Sequence, residues 1–230
     1  MKLVVLDYRN PAQKFPPVDK ALTEPDGLLA MGGCLSIQRL IKAYSHGTFP
    51  WYNEGEPILW WSPDPRWVLF PEQLHISHSL QKVLRQQRFA VTFDQAFAAV
   101  IDGCARPRDG FSGTWISADI RKAYADLFTA GFAHSAEAWQ NGQLVGGLYG
   151  VALGQVFFGE SMFHTVTDAS KAAFAVLVGH LKAWGYQLID CQVHSKHLAS
   201  LGAQPLPRHE FVTLLARFCD RPPLPTAWQI

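Results

Sequence analysis

The sequence predicts an α+β fold with a mostly antiparallel sheet, on three observations. Two apolar runs, 134–139 and 144–153, flank Asn141-Gly142, a pair that supplies the positive φ angles of a tight hairpin turn. A third strand-like run follows at once, over 155–160. The longest apolar helical stretch, 169–184, comes only after these strands and leads into one more strand at 187–192. Such an order is not the strict alternation of a parallel α/β sheet. With 230 residues, 48% of them hydrophobic, the chain can bury a full core without metal or disulfide staples.

Turn signals come first along the chain. Phe15-Pro16-Pro17, Pro25-Asp26-Gly27 and Gly32-Gly33 punctuate the first third before one clear helix. That helix has Ser36 as its N-cap, Leu40, Ile41 and Tyr44 as an apolar stripe, and Gly47 as its stop. Short strands are expected at 58–61 and 67–70. Between them, Ser62-Pro63-Asp64-Pro65-Arg66 forbids a continuous strand and sets the expected boundary between a small domain, 1–65, and a larger one, 66–230. Beyond it, 77–86 reads as helix and 89–93 as strand. Asp94 is expected to cap a helix running to about Cys104, and Ser117 another to Ala130 with Gly131 behind it. Asp168 is the expected cap of helix 169–184, which Gly185 ends. Short helices near 195–201 and 208–219 close the chain.

Composition excludes several classes. Lys plus Arg number 20 and Asp plus Glu 19, so the formal charge of +1 rules out a uniformly basic nucleic-acid coat and leaves room only for a local patch. Four scattered cysteines form no Cys-x-x-Cys pair, and no zinc site is expected. The apolar start breaks at Asp7, too early for a signal peptide, and the run 172–179 is far too short to span a membrane. These features point to the reducing cytoplasm. Gly146, Gly147, Gly150 and Gly154 lie within strands and make neither a phosphate loop nor a dinucleotide fingerprint. Ser161 lacks the second glycine of a hydrolase elbow. His194 and His197 have no carboxylate nearby, so no metal is expected there.

Three clusters remain. Four of the eight tryptophans fall between Trp51 and Trp67. Most suit a small core, whereas Trp51, flanked by Pro50 and Tyr52 on a loop, is as suited to stacking a base as to packing in that core. If the whole stretch 75–88 is helical, His75, His78, Lys82 and Arg85 lie on one face and Ile76, Leu80 and Val83 on the other. Residues 78–122 hold seven Lys or Arg against four Asp, so a phosphate-contacting patch competes there with a merely solvated face. Asp190 and Gln192 share a face of an apolar strand, and Glu160 ends another. A carboxylate in such surroundings costs free energy unless paired, so each is either half of an ion pair with an arginine or part of a site.

Phe49-Pro-Trp-Tyr52, Trp60-Trp-Ser-Pro-Asp-Pro-Arg66, Gly113-Thr-Trp115, Gly146-Gly-Leu-Tyr-Gly150, Phe158-Gly-Glu-Ser-Met-Phe163 and Asp190-Cys-Gln192 resemble the bacterial leucyl/phenylalanyl-tRNA–protein transferases. The segments occur in the same order over nearly the whole chain. The element order separately resembles the N-acyltransferase architecture, an antiparallel meander followed by a helix and a splayed strand. The family resemblance implies a small N-terminal domain plus an N-acyltransferase-like (GNAT-like) domain, working without metal or coenzyme. It implies transfer of Leu or Phe from Leu-tRNA or Phe-tRNA to a protein's N-terminal Arg or Lys, which marks that protein for the degradation machinery. Asp190, Gln192 and Glu160 then form the catalytic set. Leu148, Phe157 and Met162 hold the aminoacyl side chain, Trp51 and Trp115 the terminal adenosine, and Lys82 and Arg85 contact tRNA. The basic helix is less cationic than in familiar members, because His78, Gln81 and Gln86 dilute it.

Amine attack on an activated ester needs mainly positioning, plus a group to orient the amine or accept its proton. Asp190, oriented by Gln192, can do that, or can serve as a counter-charge for a cationic acceptor; the residues leave both open. Either way Asp190→Asn is expected to leave the fold intact. Two other classes compete. An acyl-CoA-dependent N-acyltransferase would carry a glycine-rich loop where this chain has His164-Thr-Val-Thr-Asp-Ala-Ser170. A non-catalytic RNA-binding module would not need Asp190 and Glu160 in apolar strands.

Overall fold

The computed structural model describes residues 3–106 and 114–229; Gly113, Arg108 and Asp109 lie outside them. The turn-rich first third holds more regular structure than its turn signals predict. β1 (Val4–Leu6) and β2 (Leu28–Gly32) precede α1 (Ile37–Ser45), and β3 (Phe49–Pro50) and β4 (Leu59–Trp61) follow it. The four strands form one sheet in the order β1-β2-β4-β3. Strands of two to five residues are too short for alternation to show in sequence. The caps of α1 are as expected: Ser36 Oγ accepts from Arg39 N at 3.3 Å, and Gly47 leaves the helix at φ +82°.

β5 (Arg66–Leu69) opens a second sheet, so residues 62–65 connect the two. One buried cluster runs through both and includes Tyr44, Phe49 and Trp60 beside Tyr124, Tyr149 and Phe158. α2 (His78–Arg85) starts at Ser77, whose Oγ accepts from Leu80 N, and it buries Leu80 and Val83. His75 falls outside this helix. Its N–H donates to the Leu201 carbonyl, and its ring meets the carbonyl of Ser200 at 3.1 Å. The basic face of α2 is therefore His78, Lys82 and Arg85.

β6 (Ala90–Phe93), α3 (Phe97–Cys104) and α4 (Ala118–Thr129) follow, then the meander β7 (Ala133–Gln140), β8 (Gln143–Leu153) and β9 (Val156–His164). Asn141 and Gly142 make the β7–β8 turn at φ +52° and +74°. Asp94 does not cap α3. It sits at φ +58°, accepting from Ser135 N at 2.8 Å and holding His134 Nδ1 at 2.7 Å, and α3 begins three residues later. α5 (Ala169–Ala183) has Asp168 at the cap position, but its carboxylate pairs with Lys171 instead of a helix N–H. β10 (Leu188–Gln192), α6 (Lys196–Ser200), β11 (Gln204–Leu206) and α7 (Arg208–Phe218) complete the chain.

The second sheet has the order β11-β5-β10-β9-β8-β7-β6. Its only parallel pair among the described residues is β9 with β10; the others are antiparallel. That pair positions the cleft described below. It runs together only from Leu188↔Val156 to Asp190↔Phe158, after which β9 continues alone to His164. Two bulges sit at the parting. Tyr149 pairs with Ser161 and Gly150 with Gly159, so Glu160 is an extra residue in β9. Likewise Asp190 pairs with Val68 and Gln192 with Trp67, which makes Cys191 the extra residue in β10. A bulge bends its strand and re-aims the side chains around it. Among the described residues no helix is long and apolar enough to cross a membrane.

A Cβ at Gly150 would lie 2.3 Å from the Phe158 carbonyl oxygen and 2.5 Å from the Phe157 ring, whereas one at Gly179 on α5 would meet nothing within 4 Å. Gly150→Ala is therefore expected to lower the free energy of unfolding by about 1–3 kcal/mol through overpacking. Gly179→Ala should raise it by about 1 kcal/mol through helix propensity. Urea unfolding of both variants checks the pair, and a neutral Gly150→Ala would contradict the close packing at the bulge.

Candidate active site

A cleft of about 900 Å³ opens where β9 and β10 part. Leu148, Met162, Phe174 and Ile189 give it an apolar wall, and Leu148 and Met162 stand directly opposite each other across β8 and β9. Glu160, Gln192 and Trp115 also line it.

Glu160 is held from three elements. Tyr44 on α1 donates to its Oε1 at 2.7 Å, Tyr124 on α4 donates to Oε2 at 2.8 Å, and Gln192 Nε2 donates to Oε1 at 2.9 Å. The two phenol oxygens are also hydrogen-bonded to each other. Burial pushes the carboxyl pKa up to about 7, helped by the charge of Asp190, while the three hydrogen bonds pull the other way. Both phenols are pushed well above their ordinary pKa, by burial first and by Glu160 next, so they remain donors.

Gln192 is presented from a strained backbone. Its φ is +62°, a left-handed conformation that a non-glycine residue keeps only when its surroundings fix it. The fixing group is Asp190, whose Oδ1 accepts from Gln192 N at 2.9 Å. Asp190 is in turn clamped by Arg66 on β5: Nε donates to Oδ1 at 2.8 Å and Nη2 to Oδ2 at 2.7 Å, with both side chains 0% exposed. Nη1 of Arg66 donates to the Gly47 carbonyl, and the guanidinium lies 4.7 Å from the ring centres of both Phe49 and Phe211. With one amide N–H of Gln192 held by Glu160, the amide is fixed in orientation and its Oε1 can accept from an incoming donor.

The structure thus brings together Glu160, Asp190, Gln192, Trp115, Leu148 and Met162. It does not bring in the rest. Phe157 is fully buried, its ring filling the space over Gly150 behind the wall. Trp51 is 47% exposed and is not among the residues that line the cleft, with its ring tilted against Trp61. Lys82 and Arg85 stand on the exposed face of α2. Asp190 turns out to be the ion-paired carboxylate that the sequence left as one of its options. Its oxygens accept from Arg66 and from Gln192 N, so it is not free to serve as a counter-charge for a cationic acceptor. Sequence reasoning missed Arg66, Tyr44 and Tyr124. Tyr44 was visible only as part of an apolar stripe, and nothing in a sequence links Arg66 to a residue 124 positions away.

Among the described residues no group of three or more His, Cys, Asp or Glu is placed to hold a metal ion. Cys191 lines the cleft, but burial and then the charge of Asp190 push its thiol pKa up, so it offers no thiolate. An apolar cleft beside a carboxyl that titrates near neutrality, with an amide to orient an incoming amine, suits direct acyl transfer. The arrangement suits an enzyme of the acyl-transfer class.

Residues 68–216 match the family model described as leucyl/phenylalanyl-tRNA protein transferase, and residues 33–64 match the model of that family's N-terminal domain. The chain is 59% identical over 227 residues to the leucyl/phenylalanyl-tRNA–protein transferase of Methylococcus capsulatus, covering 99% of this chain and 97% of that one. It is 62% identical over 208 residues to the Azotobacter vinelandii protein of the same name, covering 90% and 92%. The chain belongs to the leucyl/phenylalanyl-tRNA–protein transferase family and is an aminoacyltransferase. A GCN5-related N-acetyltransferase-like protein from Streptococcus suis is similar over 61% of this chain and 59% of that one, at 14% identity and a TM-score of 0.35.

The clamp changes what Asp190→Asn should do. The variant leaves Arg66 buried without its counter-charge and is expected to lose about 3–5 kcal/mol of stability. Replacing both partners with apolar residues, Arg66→Met with Asp190→Leu, should restore much of that loss while leaving Gln192 unanchored. Chemical unfolding reads the first effect. A fully stable Asp190→Asn protein would show that the pair is not the anchor.

Proposed function

We propose that this protein transfers Leu or Phe from Leu-tRNA or Phe-tRNA to the N-terminal Arg or Lys of acceptor proteins, forming a peptide bond. The product is an N-degron that hands the acceptor to the degradation machinery. The observation that carries this reading is the Glu160–Gln192 hydrogen bond at the head of an apolar cleft, in a chain of this family. Leu148 and Met162 hold the aminoacyl side chain, where the flexible Met suits both Leu and Phe shapes, and Phe157 supports them from behind. Trp115 and Trp51 stack on the terminal adenosine, and Lys82 and Arg85 contact tRNA phosphates. The division at residue 65 separates a small domain from the catalytic one.

In this mechanism Gln192 Oε1 accepts a hydrogen bond from the acceptor's α-amine and aims its lone pair at the ester carbonyl. Glu160 takes the proton that the ammonium must lose. Asp190 is a positioning residue, holding Gln192 in its left-handed conformation. Only ionised Glu160 can accept a proton, so the rate should rise with pH through about 7, the carboxyl's own midpoint. Glu160→Gln should lose that limb and keep only the dependence on the amine's ionisation. The same raised pKa has a sign for stability. Its contribution is present below pH 4.5 and is lost as pH rises through about 7.

The direct test offers charged Leu-tRNA and acetyl-CoA side by side with an Arg-starting peptide, read by peptide mass. Addition of Leu that survives chelator is the expected result, and acetyl transfer alone would overturn the reading. Met162→Ala should raise the KM for Leu-tRNA roughly tenfold or more, the scale set by about 1–3 kcal/mol of apolar packing removed from a pocket. Lys82→Ala with Arg85→Ala should reduce the log–log salt slope of tRNA binding by about one for each phosphate that is no longer neutralised. An unchanged slope would place the tRNA elsewhere, with Arg106 and Lys122 as the next candidates.

A further inference from the structure

Glu160, Tyr44 and Tyr124 meet in a closed triangle of three hydrogen-bonded oxygen pairs: Tyr44 with Oε1, Tyr124 with Oε2, and the two phenols with each other. Two phenols supply only two protons. With Glu160 ionised, both are donated to the carboxylate and the contact between the phenols has none. With Glu160 protonated on Oε2, that oxygen donates to Tyr124, Tyr124 donates to Tyr44, and Tyr44 donates to Oε1. All three contacts are then filled without moving a heavy atom, and Gln192 stays on Oε1. The other groups facing Glu160 do not supply the missing proton. Tyr149 on β8 has a buried hydroxyl with no partner, and Asp190 on β10 is tied to Arg66 on β5.

We propose that Tyr44 and Tyr124 are positioning residues that keep Glu160 ready to receive the acceptor's proton, and that their ring with Glu160 closes when it does. This rests on the transfer reading above. In the balanced step, the acceptor's ammonium gives one proton to Glu160 and the nitrogen lone pair forms the C–N bond. The ester C–O bond breaks, and a second amine proton goes to the departing ribose oxygen. The third stays on the new amide. Because Tyr44 lies on α1, residues of the first third complete the site in the second sheet.

Tyr44→Phe tests this. It takes one hydrogen bond from ionised Glu160, and relieves the protonless contact between the phenols, but takes two from the closed ring, so Glu160 should release its proton at lower pH. One net hydrogen bond corresponds to a midpoint about 0.5–1 pH unit more acidic. The rising limb of transfer should move by the same amount, so that at pH 6 the rate relative to its own plateau is about threefold above the parent's, with the KM for charged tRNA unchanged. A tyrosine that only donates to the carboxylate would move the midpoint to higher pH when lost, and a merely structural one would lower the melting temperature and leave the midpoint in place. Infrared titration of the Glu160 carboxyl, with Glu160→Gln as the spectral blank, reads the same midpoint without substrate. An acid shift supports the ring even if no aminoacyl transfer is found; an unmoved or alkaline midpoint in a folded Tyr44→Phe protein overturns it.

Discussion

A buried ion pair, Arg66 with Asp190, is the constraint on which the rest of the site depends. Two charges with no exposed surface are costly to desolvate, and such a pair holds only when its geometry is close to ideal. Here both guanidinium–carboxylate hydrogen bonds are short, and the ring of Phe49 from the first sheet and the ring of Phe211 from α7 lie against the cation. The pair therefore joins the first sheet, the second sheet and the C-terminal helix at one point. Its output is local: Asp190 Oδ1, held by Arg66 Nε, also accepts from Gln192 N, and that bond fixes a backbone conformation glutamine would not otherwise keep.

The parting of β9 and β10 explains why the cleft lies beside that point. While two parallel strands stay paired, their facing backbone groups satisfy each other and leave no room. Pairing stops at Phe158 and Asp190, and a bulge at Glu160 turns its carboxyl under the tyrosines while the bulge at Cys191 lets Gln192 reach across. Carboxyl and amide then meet from two strands that are no longer bonded to each other. The acidity of Glu160 follows from the same arrangement. Burial raises its pKa, and three donors keep the rise small enough for the group to titrate near neutrality.

Much of the fold was legible because local rules decided it. Ser36 and Ser117 cap their helices through side-chain bonds to the third residue on, and Asn141-Gly142 turns the central hairpin. Asp94 and Asp168 obey the same local rule in sequence but are claimed by other partners, the first by His134 and Ser135, the second by Lys171. Of the first sheet only β4 was legible, as the strand expected at 58–61; β1, β2 and β3 are too short to carry a period. For the site, a carboxylate in an apolar strand correctly drew attention to Glu160 and Asp190. Which of the two was paired depended on Arg66, whose partner is set by strand order across the sheet and not by anything near it in the chain. Tyr44 shows the same limit: an apolar stripe reveals that a ring is buried, but not what its hydroxyl touches.

The most direct measurement is a crystal structure of the protein with a non-hydrolysable aminoacyl-adenosine amide and an Arg-starting peptide. The account predicts the aminoacyl side chain between Leu148 and Met162 and the peptide's α-amine within hydrogen-bond distance of Gln192 Oε1 and Glu160, with Asp190 still clamped by Arg66. An amine bound away from this pair, or an Asp190 released from Arg66 to meet it, would contradict the account.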